Sequence, residues 1–162
     1  MEIRRLREPE IPRMVDELWL PFAREMADLD AFDELAPDAR RHAIAYRRNQ
    51  FDRDGFVTWV AEAGDPAESD ALLGLATAEQ REAPPVFARG DSAYIHDLYV
   101  VPDRRGEGMG SRLLDRIEGW AANRDLAHIG LSVNVANPEA RAFYESRGFE
   151  SKRTKMVKST EY

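Results

Sequence analysis

Residues Val100 to Leu114 read VVPDRRGEGMGSRLL, three glycines within five positions, placed after a branched apolar run and before a leucine-rich amphipathic stretch. Each glycine costs roughly 0.5 to 1 kcal/mol against alanine inside regular structure, so this density predicts a turn whose backbone itself touches something. The flanks make the turn a strand-to-helix junction. Successive backbone N–H groups can point inward there, and the helix N-terminus adds the positive end of its dipole, which together suit an anion such as a pyrophosphate. Arg104 and Arg105 stand beside the glycines as possible charge-assisted donors.

The rest of the chain gives this junction a context. Glu2 to Glu8 reads as a strand and Pro9 to Leu29 as a helix broken near Pro21. Pro37 to Phe51 reads as a second helix, with its proline in the first turn. Phe56 to Ala63 and Ala71 to Gln80 are strands joined by the polar turn GDPAESD, and Ala93 to Val101 is a strongly apolar strand after a loop. Beyond the glycines, Met109, Leu113, Leu114, Ile117, Trp120 and Ala121 fall at helical spacing and predict one buried stripe. His128 to Val135 is the next strand, Pro138 to Gly148 a short helix with a glycine stop, and Phe149 to Lys158 a final strand. The 162 residues carry no repeat or low-complexity linker, so a single α+β domain over 1–162 with a central sheet is expected.

Composition narrows the chemistry. The chain has no cysteine, which excludes disulfides, thiolate metal sites and a cysteine nucleophile. Its three histidines, His42, His96 and His128, lack metal-ligand spacing, so no metal is expected. A formal charge of −7 argues against nucleic acid, which needs a clustered basic face. No apolar run reaches the roughly 18 residues of a membrane span and the N-terminus lacks a signal peptide's apolar middle, so no membrane contact and a cytoplasmic location are expected. Lysine is confined to Lys152, Lys155 and Lys158 among 23 basic residues against 30 acidic ones, a balance that fits either salt adaptation or a GC-rich genome.

Three phosphate-binding patterns compete for the glycine loop. A P-loop needs lysine and a hydroxyl residue after its last glycine, whereas Met109, Gly110 and Ser111 follow Gly108. The dinucleotide fingerprint G-x-G-x-x-G would need glycine at Ser111. The pattern R-x-x-G-x-G, at Arg105, Gly108 and Gly110 with an extra Gly106, resembles the acyl-CoA loop of the GCN5-related N-acetyltransferases. A second segment, Asn137, Ala140, Phe143, Tyr144, Gly148 and Phe149 in N-x-x-A-x-x-F-Y-x-x-x-G-F, is similar to that family's second cofactor segment, and the element order matches over nearly the whole chain.

The resemblance implies an acyl-CoA N-acyltransferase fold: a mixed, mostly antiparallel sheet with a splayed parallel strand pair at the cofactor site, flanked by about four helices. It implies acetyl-CoA as cosubstrate and direct acetyl transfer to an amine acceptor, with alternatives in a protein N-terminal or lysine acetyltransferase or a non-catalytic acyl-CoA sensor. Cofactor contacts are implied for Leu98, Tyr99 and Val100 through their backbone, for the loop from Arg104 and Arg105 through Gly106, Glu107, Gly108, Met109, Gly110 and Ser111, and for Asn137, Ala140 and Tyr144. Tyr144 is the implied acid for the leaving thiolate. Asp97 is the favoured base and His96 the next candidate; strand alternation is expected to send the two to opposite faces. Glu25 and Asp28, with Asp30 and Asp33 nearby, are the expected acceptor-binding acids, Asp97 being a further one. Phe149, Met156 and Val157 in the final strand suggest a homodimer.

Overall fold

The computed structural model describes residues 1–65, 67 and 71–161. These form two compact parts, Met1–Ser132 and the chain from Val133 onward.

The first part is built on a five-stranded sheet in the order β1 (Glu2–Arg5), β2 (Phe56–Glu62), β3 (Leu72–Arg81), β4 (Ser92–Val100), β5 (His128–Gly130). All neighbours are antiparallel except β4 and β5, which run parallel. In β3 every residue from Leu72 to Ala78 is buried, because both faces of this central strand are covered. One face carries α1 (Ile11–Met14), α2 (Leu20–Leu29) and α3 (Ala39–Phe51), which pack Ile11, Met14, Leu18 and Ile44 with Val60, Leu75 and Tyr99. The other takes α4 (Met109–Asn123), which packs on β3 and β4 and buries Met109, Leu113, Leu114, Ile117 and Ala121. Trp120 lies only half-buried at the edge of this stripe, its ring 5.3 Å from the Arg124 guanidinium. Gly74 lets α4 close on the sheet: a Cβ there would stand 2.9 Å from Leu113 Cδ1 and 3.2 Å from the Tyr99 carbonyl.

The first helical run is continuous rather than broken at Pro21. Between α1 and α2, Val15–Trp19 form a π-helical turn, directly ahead of the proline in the first turn of α2. A proline crowds the carbonyl four residues back, here Glu17, and the widened turn relieves that clash. The turn predicted between β2 and β3 lies partly outside the described residues.

The second part contains α5 (Pro138–Ser146), capped by Asn137, whose side chain accepts from the Ala140 N–H at 3.1 Å. Two expectations fail near here. The strand read over His128 to Val135 ends at Gly130, and Asn134 instead accepts from the Ala136 N–H at 2.8 Å in a side-chain turn that competes with strand pairing. No strand forms over Phe149 to Lys158. Beyond Phe149 the described residues are all exposed, and Met156 and Val157, being adjacent, would point to opposite faces of a strand.

Candidate functional site

The ladder between β4 and β5 stops at Tyr94↔Gly130, while β4 continues to Val100. From Ile95 on, no strand among the described residues of this part pairs with that edge of β4. The strand's alternation shows which groups face the open side. Val101 donates its N–H to the Leu73 carbonyl, so Tyr99 also faces β3 and the backbone groups of Leu98 and Val100 point the other way. Arg105 Nε donates to the Val100 carbonyl at 2.9 Å, which leaves the Val100 N–H and both Leu98 groups directed along the open edge.

That edge runs into the glycine loop. Pro102–Arg104 form one 3₁₀ turn, and Gly106 and Gly108 then adopt φ of +83° and +84°, with Gly108 capping α4 in the left-handed conformation. These values require glycine, since a side chain is strained at positive φ. A Cβ on either residue would meet nothing within 4 Å, so the space beside both is open. Met109 is fully packed beneath it, with Gly110 and Ser111 in the first turn of the helix.

Both arginines beside the loop pair with carboxylates. Arg104 donates to Glu107 at 2.8 Å, and Arg105 Nη2 lies 2.9 Å from both carboxylate oxygens of Glu25. Glu25, expected to bind the acceptor, thereby also ties α2 to the loop. Asp28 is exposed on α2, Asp33 is exposed after it, and Asp30 accepts from the Phe32 N–H at 3.0 Å as a local cap.

The two candidate bases share a face, which corrects the expectation from strand alternation. The register passes from Thr77↔Asp97 to Ala78↔Ile95, so His96 is an extra residue opposite one partner, a β-bulge. His96 and Asp97 consequently lie on the side of Thr77 and Glu79. Asp97 is 5% exposed, and its Oδ2 accepts from Thr77 Oγ1 and, at 2.7 Å, from Arg47 Nη2 on α3. It is half of a buried ion pair, which leaves its carboxylate already engaged. His96 is less enclosed. Its ring stacks on Phe56 at 6.1 Å and meets Tyr94 edge-on at 5.1 Å. Its Nε2 makes no hydrogen bond and stands 3.8 Å from Glu79 Oε2. Burial pushes the imidazole below its ordinary value of 6.5, against the pull of Asp97 and Glu79.

Around this pair the structure adds groups that the sequence reading missed. Arg81 stacks over Tyr94 at 3.7 Å, and the Tyr94 hydroxyl pairs with Ser132 Oγ at 2.9 Å. Arg47 had a signal: it falls on the buried stripe of α3 with Ala43, Ile44 and Gln50, where a cation needs a partner. In the second part, Tyr144 is half-buried on α5, with Phe143 at 5.3 Å and Phe149 at 5.4 Å, both edge-on. Ala140 lies one turn earlier on the same helix.

Among the described residues no helix is long and apolar enough to cross a membrane, and no three His, Asp or Glu side chains converge as metal ligands.

Comparison with known proteins agrees with this geometry. An uncharacterized N-acetyltransferase of Archaeoglobus fulgidus is 37% identical over 62 residues, which is 38% of this chain and 42% of that protein. The chain thus matches less than half the length of that curated relative. Among solved structures, the BH1408 protein of Bacillus halodurans, as a tetramutant, superposes with a TM-score of 0.84 at 17% identity, covering 98% of this chain and 99% of that one. A predicted acetyltransferase from Clostridium acetobutylicum, solved with acetyl-CoA, gives 0.76 at 22% identity over 98% and 95%. The model of the acetyltransferase (GNAT) family matches residues 12–149. This match takes in most of the chain, glycine loop and second cofactor segment included, and the chain belongs to the GNAT family of acetyltransferases.

Proposed function

We propose that this protein moves the acetyl group of acetyl-CoA directly to a primary amine of a small molecule, both substrates bound together. The observation that carries this reading is the open edge of β4 at Leu98 and Val100, which leads straight into the turn of Gly106 and Gly108. An amide-bearing arm can add to such an edge as a further strand would, and its phosphates can sit on the N–H groups of the turn. The backbone N–H groups of the turn are the main phosphate donors in this reading, with the unspent N–H groups of Arg104 and Arg105 beside them. The Val100 N–H, left over on that edge, is the donor for the thioester oxygen as charge develops there, a role worth roughly 3 to 4 kcal/mol where such donors have been removed.

An amine with a pKa near 10 attacks only after losing its proton. The engagement of Asp97 by Arg47 and Thr77 favours His96 for that task. His96 Nε2 has no hydrogen-bond partner, and Glu79 at 3.8 Å can stabilise the imidazolium once the proton arrives. Tyr144 is the proposed acid for the thiolate, a role that rests on its place in the second motif. Pairing of two copies through the exposed Met156 and Val157 belongs to the same proposal, with light scattering at micromolar concentration as its measure.

Saturating acetyl-CoA is expected to raise the melting temperature, since a ligand selective for the native state must stabilise it. Gly108→Val should fold with a loss of roughly 1 to 2 kcal/mol from its positive φ and show no such shift. A normal shift in that variant would remove the loop from the site.

The pH dependence tests the base. Since burial lowers the His96 pKa, the ring is neutral at pH 7, and the acid limb of kcat/KM should lie below pH 6.5. His96→Gln should lose about 10²-fold at neutral pH and recover as the pH approaches the amine's own pKa. An unchanged profile in that variant would assign proton removal to water.

A further inference from the structure

The proposed base stands between two acids. His96 lies beside Asp97 in β4 and faces Glu79 of β3. A carboxylate close to an imidazole favours the charged ring, which has no lone pair left to take a proton. Burial is the strongest influence and favours the neutral ring; Asp97 and Glu79 pull against it, and Arg81 and Arg47 oppose the two acids. Each of those acids is matched by one arginine. Arg47 of α3 holds Asp97 in the buried ion pair. Arg81 of β3 holds Glu79, with Nε 3.5 Å from Oε1, on the more open side of the ring.

This second pair divides one carboxylate between two cations. Glu79 turns Oε1 to Arg81 and Oε2 to His96, the latter at 3.8 Å from Nε2. Once His96 is protonated, imidazolium and guanidinium compete for the same acid. The position of Arg81 is fixed by a ring. Its guanidinium lies 3.7 Å over Tyr94, which meets His96 edge-on at 5.1 Å and is tied through its hydroxyl to Ser132 Oγ at 2.9 Å. A stacked guanidinium gives up little further freedom when it pairs, so it keeps its share of the carboxylate. Phe56 of β2, stacked on the imidazole at 6.1 Å, adds no charge of its own.

We infer that Arg81 is a positioning residue for the proposed base: stacked on Tyr94, it holds one oxygen of Glu79 and so limits the hold of that carboxylate on the His96 proton. This rests on the reading of His96 as base and adds to it the residue that keeps the ring free to accept a proton at neutral pH.

The experiment is a proton NMR titration of the His96 ring in the whole protein without acetyl-CoA, its signal identified by its loss in His96→Gln. Arg81→Gln releases Glu79 and removes a nearby cation, so it should raise the midpoint by about 0.5 to 1 pH unit, and Glu79→Gln should lower it by a similar amount. In the double variant the Arg81 effect should shrink to less than half, because no carboxylate remains to be released. Both side chains are partly exposed, Arg81 at 48% and Glu79 at 31%, so these variants should fold and melt close to the parent. An unmoved or lowered midpoint in Arg81→Gln overturns the inference, as does an Arg81 effect that is undiminished in the double variant. With His96 as base, the acid limb of kcat/KM should follow the ring, upward in Arg81→Gln and downward in Glu79→Gln. Failure of the base reading looks different: the midpoints move as expected while the acid limb stays in place. Control of the ring by Arg81 would then stand, and the base would lie elsewhere.

Discussion

Arg47→Met is expected to lower the unfolding free energy by roughly 3 to 5 kcal/mol, the loss typical when one partner of a buried ion pair is removed. Both side chains are nearly inaccessible, at 7% for Arg47 and 6% for Asp97. Methionine refills most of the volume but leaves the Asp97 carboxylate enclosed with only Thr77 as a donor. For a chain of this length the change corresponds to a fall of about 6 to 20 °C in melting temperature. Adding Asp97→Asn to the same chain removes the stranded charge, so the double variant should regain much of the loss, and a double-mutant cycle read by urea denaturation measures the coupling. The same cycle separates structure from chemistry at Asp97. A base gives an activity loss that fades toward high pH, whereas an ion-pair partner gives a stability loss in Asp97→Asn that Arg47→Met partly repairs. Additive single effects would show that the pair contributes nothing of its own.

The parts of this molecule that were legible in the sequence are those where local chemistry decides. Gly106 and Gly108 announce a turn because their backbone conformation excludes other residues, and the stripe from Met109 to Ala121 announces a helix because its period has one solution. What the sequence hid was set by partners distant along the chain. Arg105 stands beside the loop in the sequence, but its pairing with Glu25, 80 residues away, shows only in the fold. Asp97 looks like a base until Arg47 comes down from α3. The bulge at His96 reversed an argument from alternation, and no local pattern marks it: an extra residue in β4 shows only against the register of β3. The final strand failed for a related reason. A strand exists only as part of a ladder, and no pattern of residues can supply the neighbour it would pair with.

Tyr144→Phe is expected to reduce kcat by roughly 10² to 10⁴-fold while acetyl-CoA binding changes little, because the substitution deletes a proton donor and keeps the ring. The packing argument for keeping the ring is specific. Tyr144 sits between Phe143 and Phe149 with both contacts edge-on, at interplanar angles of 63° and 67°, and phenylalanine preserves them. The leaving group gives a second, sharper test. A thiolate that departs without its proton is a better leaving group when its pKa is lower, so an acetyl thioester of a more acidic thiol should lose far less activity in the variant than acetyl-CoA does. A variant that loses binding of acetyl-CoA in proportion to its rate would place Tyr144 in packing rather than proton transfer. A variant equally impaired on both thioesters would remove the tyrosine from the leaving-group step and leave protonation of the sulfur to solvent.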